Sequence, residues 1–259
     1  MKPTNNGASQ EIASVKKALR ILRSFSIDEP EKKISDLAAS LKMNKSTVSR
    51  LMSTLANEGF VTKDEDTQKY RLGYSVLALS GIITSNLEIH REAAPVLNQL
   101  TQETGETSHL VVLEGINIVY LDKIECKHPV RIFTHLGRSN PAYCTSSGKA
   151  ILAYREPELV EKVIENGLVP YASNTITDPQ ELYRHLEQVR KQGYDYSVNE
   201  FHEGVSSVAA PIRDYSGKIY YAVSVVGPIQ RIHQHNLQEI AKKVMKAGEE
   251  ISRRMGYRA

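Results

Sequence analysis

The sequence predicts an α+β protein in two parts: a helical first third closed by a short hairpin, then a linking helix and a larger domain of strands and helices. Three observations carry this expectation. Apolar residues recur at helical spacing through the first 58 residues and give way to short β-like runs beyond residue 107. At 259 residues the chain is long enough for two domains of roughly 100–200 residues each. Charge divides the same way, with 13 Lys and Arg against 9 Asp and Glu in residues 1–75, and 20 against 21 in the remainder.

A helix is expected over residues 14–28, where Val15, Ala18, Leu19, Leu22 and Phe25 share one face. Ile34, Leu37, Ala38 and Leu41 repeat the pattern, and after Lys42, Met43 and Asn44 a third helix runs to about Glu58. Asn44 is the expected N-cap, and Gly59 the stop. Val48, Leu51, Met52 and Leu55 form the inner face of this third helix. Two short helices joined this tightly read as a helix-turn-helix over about residues 34–58, with Ala38 allowing the close crossing. The outer face shows Lys45, Ser46, Ser49, Arg50 and Ser53, and Lys45, Ser46, Thr47, Ser49 and Arg50 are the residues expected to face a groove. Hydroxyls are mediocre helix formers, so Ser46, Thr47, Ser49 and Ser53 in one helix suggest a use, and such a face suits a DNA major groove. A solvated helix face is the plainer alternative.

Residues 60–72 (FVTKDEDTQKYRL) read as a hairpin, the wing, with Lys63, Lys69 and Arg71 placed to meet phosphates and an acidic tip at Asp64, Glu65 and Asp66 that would oppose them. The DNA-binding domain is therefore set at residues 12–73, and a linker helix at 74–90. That helix is more apolar than one covered face requires, so a second domain or a second subunit is expected against it. A further helix covers 91–103, with Pro95 near its first turn, and Gly105 ends it.

Strands are expected at 108–113, 116–121, 130–133, 194–198, 206–212 and 219–226, with helices at 144–154, 156–166, from Asp178, and at 236–255. Together these form a largely antiparallel sheet flanked by helices.

Enzyme readings find little support. Ser146-Ser147-Gly148-Lys149 is a literal Ser-x-x-Lys, but its companion motifs are absent, and the Gly-Lys pair lacks the rest of a phosphate-binding loop. Asp195, Glu200 and Glu203 form a possible acid cluster with no nucleophile to serve. His233 and His235 alone do not make a metal site. No catalytic residue, cofactor or metal is expected. With two cysteines, a polar N-terminus and no long apolar run, the composition fits a cytoplasmic protein without a membrane partner.

Longer motifs make the reading specific. ASVKKALRILRSF (13–25), LAASLKMNKSTVSRLMSTLANEGFV (37–61), YRLG (70–73), GRSNPAYCTSSGKAILA (137–153), Glu200 with Gly204, SVAAPIRD (207–214) and AVSVVGP (222–228) occur in order. In these the chain resembles the isocitrate-lyase-regulator (IclR) family of bacterial transcription factors over nearly its whole length. The resemblance implies a winged helix-turn-helix, a dimerising linker helix and a GAF-like effector-binding domain over residues 88–257. It implies a homodimer or homotetramer on double-stranded operator DNA, usually a repressor and sometimes an activator, modulated by a small organic-acid effector. An acid-processing enzyme with a DNA-binding appendage is the alternative from another class.

The resemblance also places the effector site on Ser146 and Ser147, Ser197, Ser207, and the pair Ser224 and Val226. Ser197 stands where relatives often carry an acid, and Ser207 where they often carry a cysteine, so the resemblance does not by itself assign the family's best-known effectors, glyoxylate and pyruvate. Ser146 and Ser147 open a helix, whose free amides favour an anion. Strand alternation points Ser206 and Ser207 to opposite faces. A hydroxyl-rich pocket suits a hydroxylated or sugar acid better than a flat aromatic one.

Overall fold

The computed structural model describes residues 11–26, 28–128 and 134–258. By internal contacts the chain divides into two compact units, Met1–Asn86 and Leu87–Ala259. The strand expected at 130–133 lies outside the described residues.

In the first unit, α1 (Ala13–Arg23), α2 (Ile34–Ser40) and α3 (Lys45–Asn57) precede a two-stranded antiparallel hairpin of β1 (Val61–Lys63) and β2 (Tyr70–Leu72), and α4 (Tyr74–Asn86) follows. Their core is Ile21, Leu37, Ala38, Val48, Met52, Val61 and Tyr70. The first helix is shorter than expected: it ends at Arg23, where the Ser24 hydroxyl donates to the Ile21 carbonyl at 2.7 Å. Its buried side also differs. Ile21 is fully buried, whereas Val15 and Leu19 are 52% and 53% exposed. At about 100° per residue the apolar positions of α1 span about half its circumference, and the unit covers only the edge that carries Ile21 and Leu22, with Phe25 packed just beyond the helix end. Asn44 occupies the N-cap position of α3 in extended geometry, but its side chain makes no cap hydrogen bond. Lys42 turns the chain between α2 and α3 with φ +54°, and Gly59 ends α3 with φ +73°.

The helix α4 presents Tyr74, Leu77, Leu79 and Ile83 outward, each more than half exposed. The expected linker is interrupted, since α4 stops at Asn86 and α5 (Glu88–Thr104) starts two residues later. Pro95 consequently sits inside α5 rather than at its start. It lies on the exposed side, where the carbonyl that loses its N–H partner can meet water.

In the second unit, β3 (Thr107–Glu114), β4 (Asn117–Ile124), β5 (Ser139–Pro141), β6 (Asp195–Val198), β7 (Val205–Arg213) and β8 (Ile219–Pro228) form one antiparallel sheet in the order β5-β4-β3-β8-β7-β6. β5 is an addition to the expected strands. The helices α5 and α9 (Leu237–Arg254) pack on one face around Leu97, Val208, Val223 and Val244. The other face carries α6 (Ser146–Leu152), α7 (Pro157–Glu165) and α8 (Pro179–Gln192), around Val111, Ile151, Leu182 and Ala209. As expected, Asp178 caps α8, accepting from the Glu181 amide at 2.8 Å. The helix expected from residue 144 instead begins as a 3-10 turn (Ala142–Cys144), and Thr145 caps α6 by accepting from the Gly148 amide at 3.2 Å. α6 lies so close to that turn that a Cβ on Gly148 would sit 2.1 Å from the Ala142 carbonyl oxygen.

Candidate functional site

The first unit holds the groove-reading candidates. On α3, Lys45, Ser46, Ser49 and Arg50 are exposed, and Thr47 neighbours core residue Val48. Among the described residues, neither Lys45 nor Arg50 forms an ion pair, so both cations face solvent without a carboxylate to displace. The wing is different. Lys63 pairs with Glu65 at 3.2 Å, and Lys69 reaches Glu31 at 3.7 Å. Arg71 is exposed. Exposed pairs of this kind are weak, about 0–1 kcal/mol, so a phosphate can compete for either lysine. The acidic tip has a structural role, because Asp64 accepts from the Thr67 amide at 2.7 Å and hydroxyl at 2.8 Å and so closes the turn. Those bonds hold its carboxyl below the usual range.

The second unit places all five sequence-selected serines around one cavity: Ser146, Ser147, Ser197, Ser207 and Ser224. Sheet register assembles the floor. Ser197 pairs with Ser207, Ser207 with Val226, and Ser224 with both Ala209 and His109. Cross-strand partners share a face, so these side chains form two adjoining rows. The first turn of α6 lies above, with Ser146 Oγ 2.7 Å from Ser207 Oγ. Ser206 is fully buried on the opposite face, and among the described residues its hydroxyl has no hydrogen-bond partner.

Several lining residues lie outside the sequence-selected set. His109 Nε2 lies 2.6 Å from Thr134 Oγ1, and its ring meets Tyr120 edge-on at 5.0 Å. Asn140 Nδ2 donates to the Tyr120 hydroxyl at 3.3 Å, and Asn140 Oδ1 accepts from Arg138 Nε at 3.2 Å. Burial, with the Lys123 cation, pushes His109 down to about 3, so the ring is neutral. Burial pushes the Cys144 thiol up to about 12 and the Tyr120 phenol above its ordinary value. None of these residues carries a local signal of ligand binding, and only the strand pattern around His109 could have drawn attention to one.

Glu200 also lines the cavity, and it does so as part of an ion cluster. Lys149 Nζ lies 2.6 and 2.7 Å from the two Glu200 oxygens and 3.3 Å from Asp195 Oδ2. His185 Nε2 meets Asp195 Oδ1 at hydrogen-bonding distance and stands 3.2 Å from Lys149 Nζ. Two of the three acids noted in the sequence thus face a lysine. The third, Glu203, points elsewhere and accepts from Ser173. In the Ser-x-x-Lys match, Ser146 lies at hydrogen-bonding distance of Ser207, while Lys149 is fully buried among carboxylates. The His233 and His235 rings pack 5.7 Å apart, and among the described residues no group of three metal-ligating side chains converges. No helix of the described residues is long and apolar enough to cross a membrane.

Known proteins match both units. Residues 14–65 match the IclR helix-turn-helix domain, and residues 82–253 match the C-terminal domain described as bacterial transcriptional regulator IclR C-terminal. The HTH-type transcriptional regulator KdgR of Escherichia coli is 33% identical over 95% of this chain and 94% of its own. The transcriptional repressor IclR of the same species is 27% identical over 95% and 90%. A crystal structure of an IclR homolog from Microbacterium hydrocarbonoxydans, complexed with 4-hydroxybenzoate, superposes with a TM-score of 0.81 at 25% identity, covering 94% of this chain and 99% of that one. With the α3 face and the serine-lined cavity both in place, the chain belongs to the IclR family of bacterial transcriptional regulators.

Proposed function

We propose that this chain is a homo-oligomeric repressor whose operator binding is modulated by a hydroxylated small carboxylic acid, such as a sugar acid. In this reading Lys45, Ser46, Thr47, Ser49 and Arg50 face the major groove, and Lys63, Lys69 and Arg71 position the wing on phosphates. Residues 12–73 act as the DNA-binding domain, 74–90 as the linker and 88–257 as the effector domain. The outward apolar faces of α1 and α4 support pairing of subunits there.

The observation that carries the effector reading is the convergence of five serine hydroxyls with Thr134 and Asn140 on one narrow cavity. Such a lining offers many short donors and acceptors, which match a ligand bearing several hydroxyls. Arg138 at the same cavity supplies a cation for the ligand's carboxylate. The effector acts by population shift, favouring an arrangement of subunits in which the two recognition helices no longer match successive turns of DNA, about 34 Å apart.

The test is fluorescence anisotropy with DNA from upstream of the gene, at two salt concentrations and with scrambled competitor. Tight, salt-sensitive and sequence-selective binding that sugar acids release is expected. If thermal-shift assays show no response to D-glucuronate or D-gluconate but a clear one to 4-hydroxybenzoate, the hydroxylated-acid reading is wrong.

A further inference from the structure

The buried cluster beside the cavity is unbalanced. Asp195 and Lys149 are fully buried and Glu200 nearly so, and one ammonium faces two carboxylates. With both acids ionised and the His185 ring neutral, the cluster holds surplus negative charge, and Glu200 is the member that also borders the ligand cavity. A carboxylate entering that cavity meets this charge where water screens it poorly.

We propose that Glu200 is a specificity-determining residue of the pocket: it takes up one proton from solvent as a carboxylate ligand binds, so the pocket admits an acid together with a proton. This rests on the reading of the cavity as a small-acid site. The new O–H on Glu200 removes the repulsion and can donate to the ligand's carboxylate, a short charge-assisted hydrogen bond.

The groups around Glu200 leave few other places for that proton. Burial raises Glu200 above the ordinary carboxylate range; Lys149 pulls it down, and Asp195 pushes it up again. From α6, Lys149 itself stays protonated, held up by both carboxylates against its burial. From the 3-10 turn, Cys144 remains a thiol, and on the sheet His109 and Tyr120 stay neutral. His202, on the loop that carries Glu200, is pushed down by burial and by the Arg138 cation. Ser197 on β6 supplies a hydroxyl to Glu200 and no titrating group. On α8, His185 is the remaining titratable group that faces the cluster: it hydrogen-bonds Asp195 and stands near Lys149.

The sign follows from linkage. A bound anion raises the Glu200 pKa further, so binding takes up a proton between the free and bound values. Affinity then falls as pH rises through that window, by up to about tenfold per unit for one proton. The experiment is isothermal titration calorimetry of D-glucuronate and D-gluconate into the full-length protein, at several pH values and in two buffers of different ionisation enthalpy.

Uptake approaching one proton, dependent on pH, is the expected result in the wild type. In Glu200→Gln, which mimics the protonated acid and leaves Lys149 paired with Asp195, uptake should vanish and binding at the alkaline end should become tighter than wild type. A purely structural role for Glu200 gives weaker binding at every pH instead. Uptake that survives Glu200→Gln but disappears in His185→Asn overturns the assignment, as does wild-type binding without uptake, which leaves the acid reading intact. No binding of either acid under any condition removes the sugar-acid reading and this proposal with it.

Discussion

Lys149→Met tests the cluster on which the second unit turns. Methionine has similar length and leaves little empty space, so the change removes charge rather than volume. What remains is Asp195, fully buried and still bonded to His185, and Glu200, 7% exposed and without its lysine. Breaking a buried pair by deleting one partner costs about 3–5 kcal/mol, because the surviving charge has neither solvent nor counter-ion. For a unit of this size each kcal/mol moves the melting temperature by about 2–4 °C, so a fall of roughly 6–20 °C is expected by circular dichroism or calorimetry. The fall should also depend on pH. Without Lys149 the Glu200 pKa in the folded state rises further above its unfolded value, so the folded state holds more protons and gains stability as pH is lowered. The gap between variant and wild type should therefore narrow toward acid and widen toward alkali. A melting temperature within about 2 °C of wild type, less than one kcal/mol would give, or a gap that does not change with pH, would refute the view of this cluster as a charge-paired structural element.

Three further outcomes are expected. Arg50→Ala should weaken operator binding by about 1–3 kcal/mol while leaving the circular-dichroism spectrum and oligomeric state unchanged, since Arg50 is exposed and outside the core; normal binding would move the groove-reading face elsewhere. Gly148→Ala would force a Cβ to within 2.1 Å of the Ala142 carbonyl oxygen, backbone that cannot swing aside, and should lower stability by at least about 1–3 kcal/mol in chemical denaturation. Replacing Leu79 and Ile83 together by Glu places charge on an exposed apolar helix face, and sedimentation should show a smaller species than wild type; an unchanged mass would assign subunit pairing to another surface.

The first unit is legible because its signals are local. Apolar residues three and four apart fix α2 and α3, and the turn between them is too short to admit other topologies. The buried face of α1 is not legible, for a physical reason: its apolar half-cylinder is wider than one core can cover, and periodicity does not say which edge is used. β5 escapes notice because three residues, Ser139–Pro141, with a proline at the end, carry no alternation and take their strand geometry only from β4 beside them. Pro95 reads as a first-turn residue only if a helix begins at residue 91, whereas the chain starts a new helix at Glu88 and carries the proline on its wet side.

The pocket is half legible, and the division follows sequence distance. The serines can be selected one motif at a time, but the ion cluster joins residues 46 and 51 positions apart, and no periodicity relates Lys149 to Asp195 or Glu200. In the sequence Asp195 and Glu200 are visible only as acids without a partner. Their geometry also gives the serine at 197 a meaning that local pattern does not reach. An acid at that position, next to Glu200, would set three carboxylates against one ammonium at the rim of a cavity proposed to receive a fourth. With His185 neutral, serine keeps the surplus to one negative charge, which a single proton can neutralise, and gives Glu200 a hydroxyl in place of a rival charge. The departure at residue 197 and the buried lysine are therefore parts of one electrostatic arrangement, in which α6 presents Ser146 and Ser147 to the cavity and Lys149 to the carboxylates behind it.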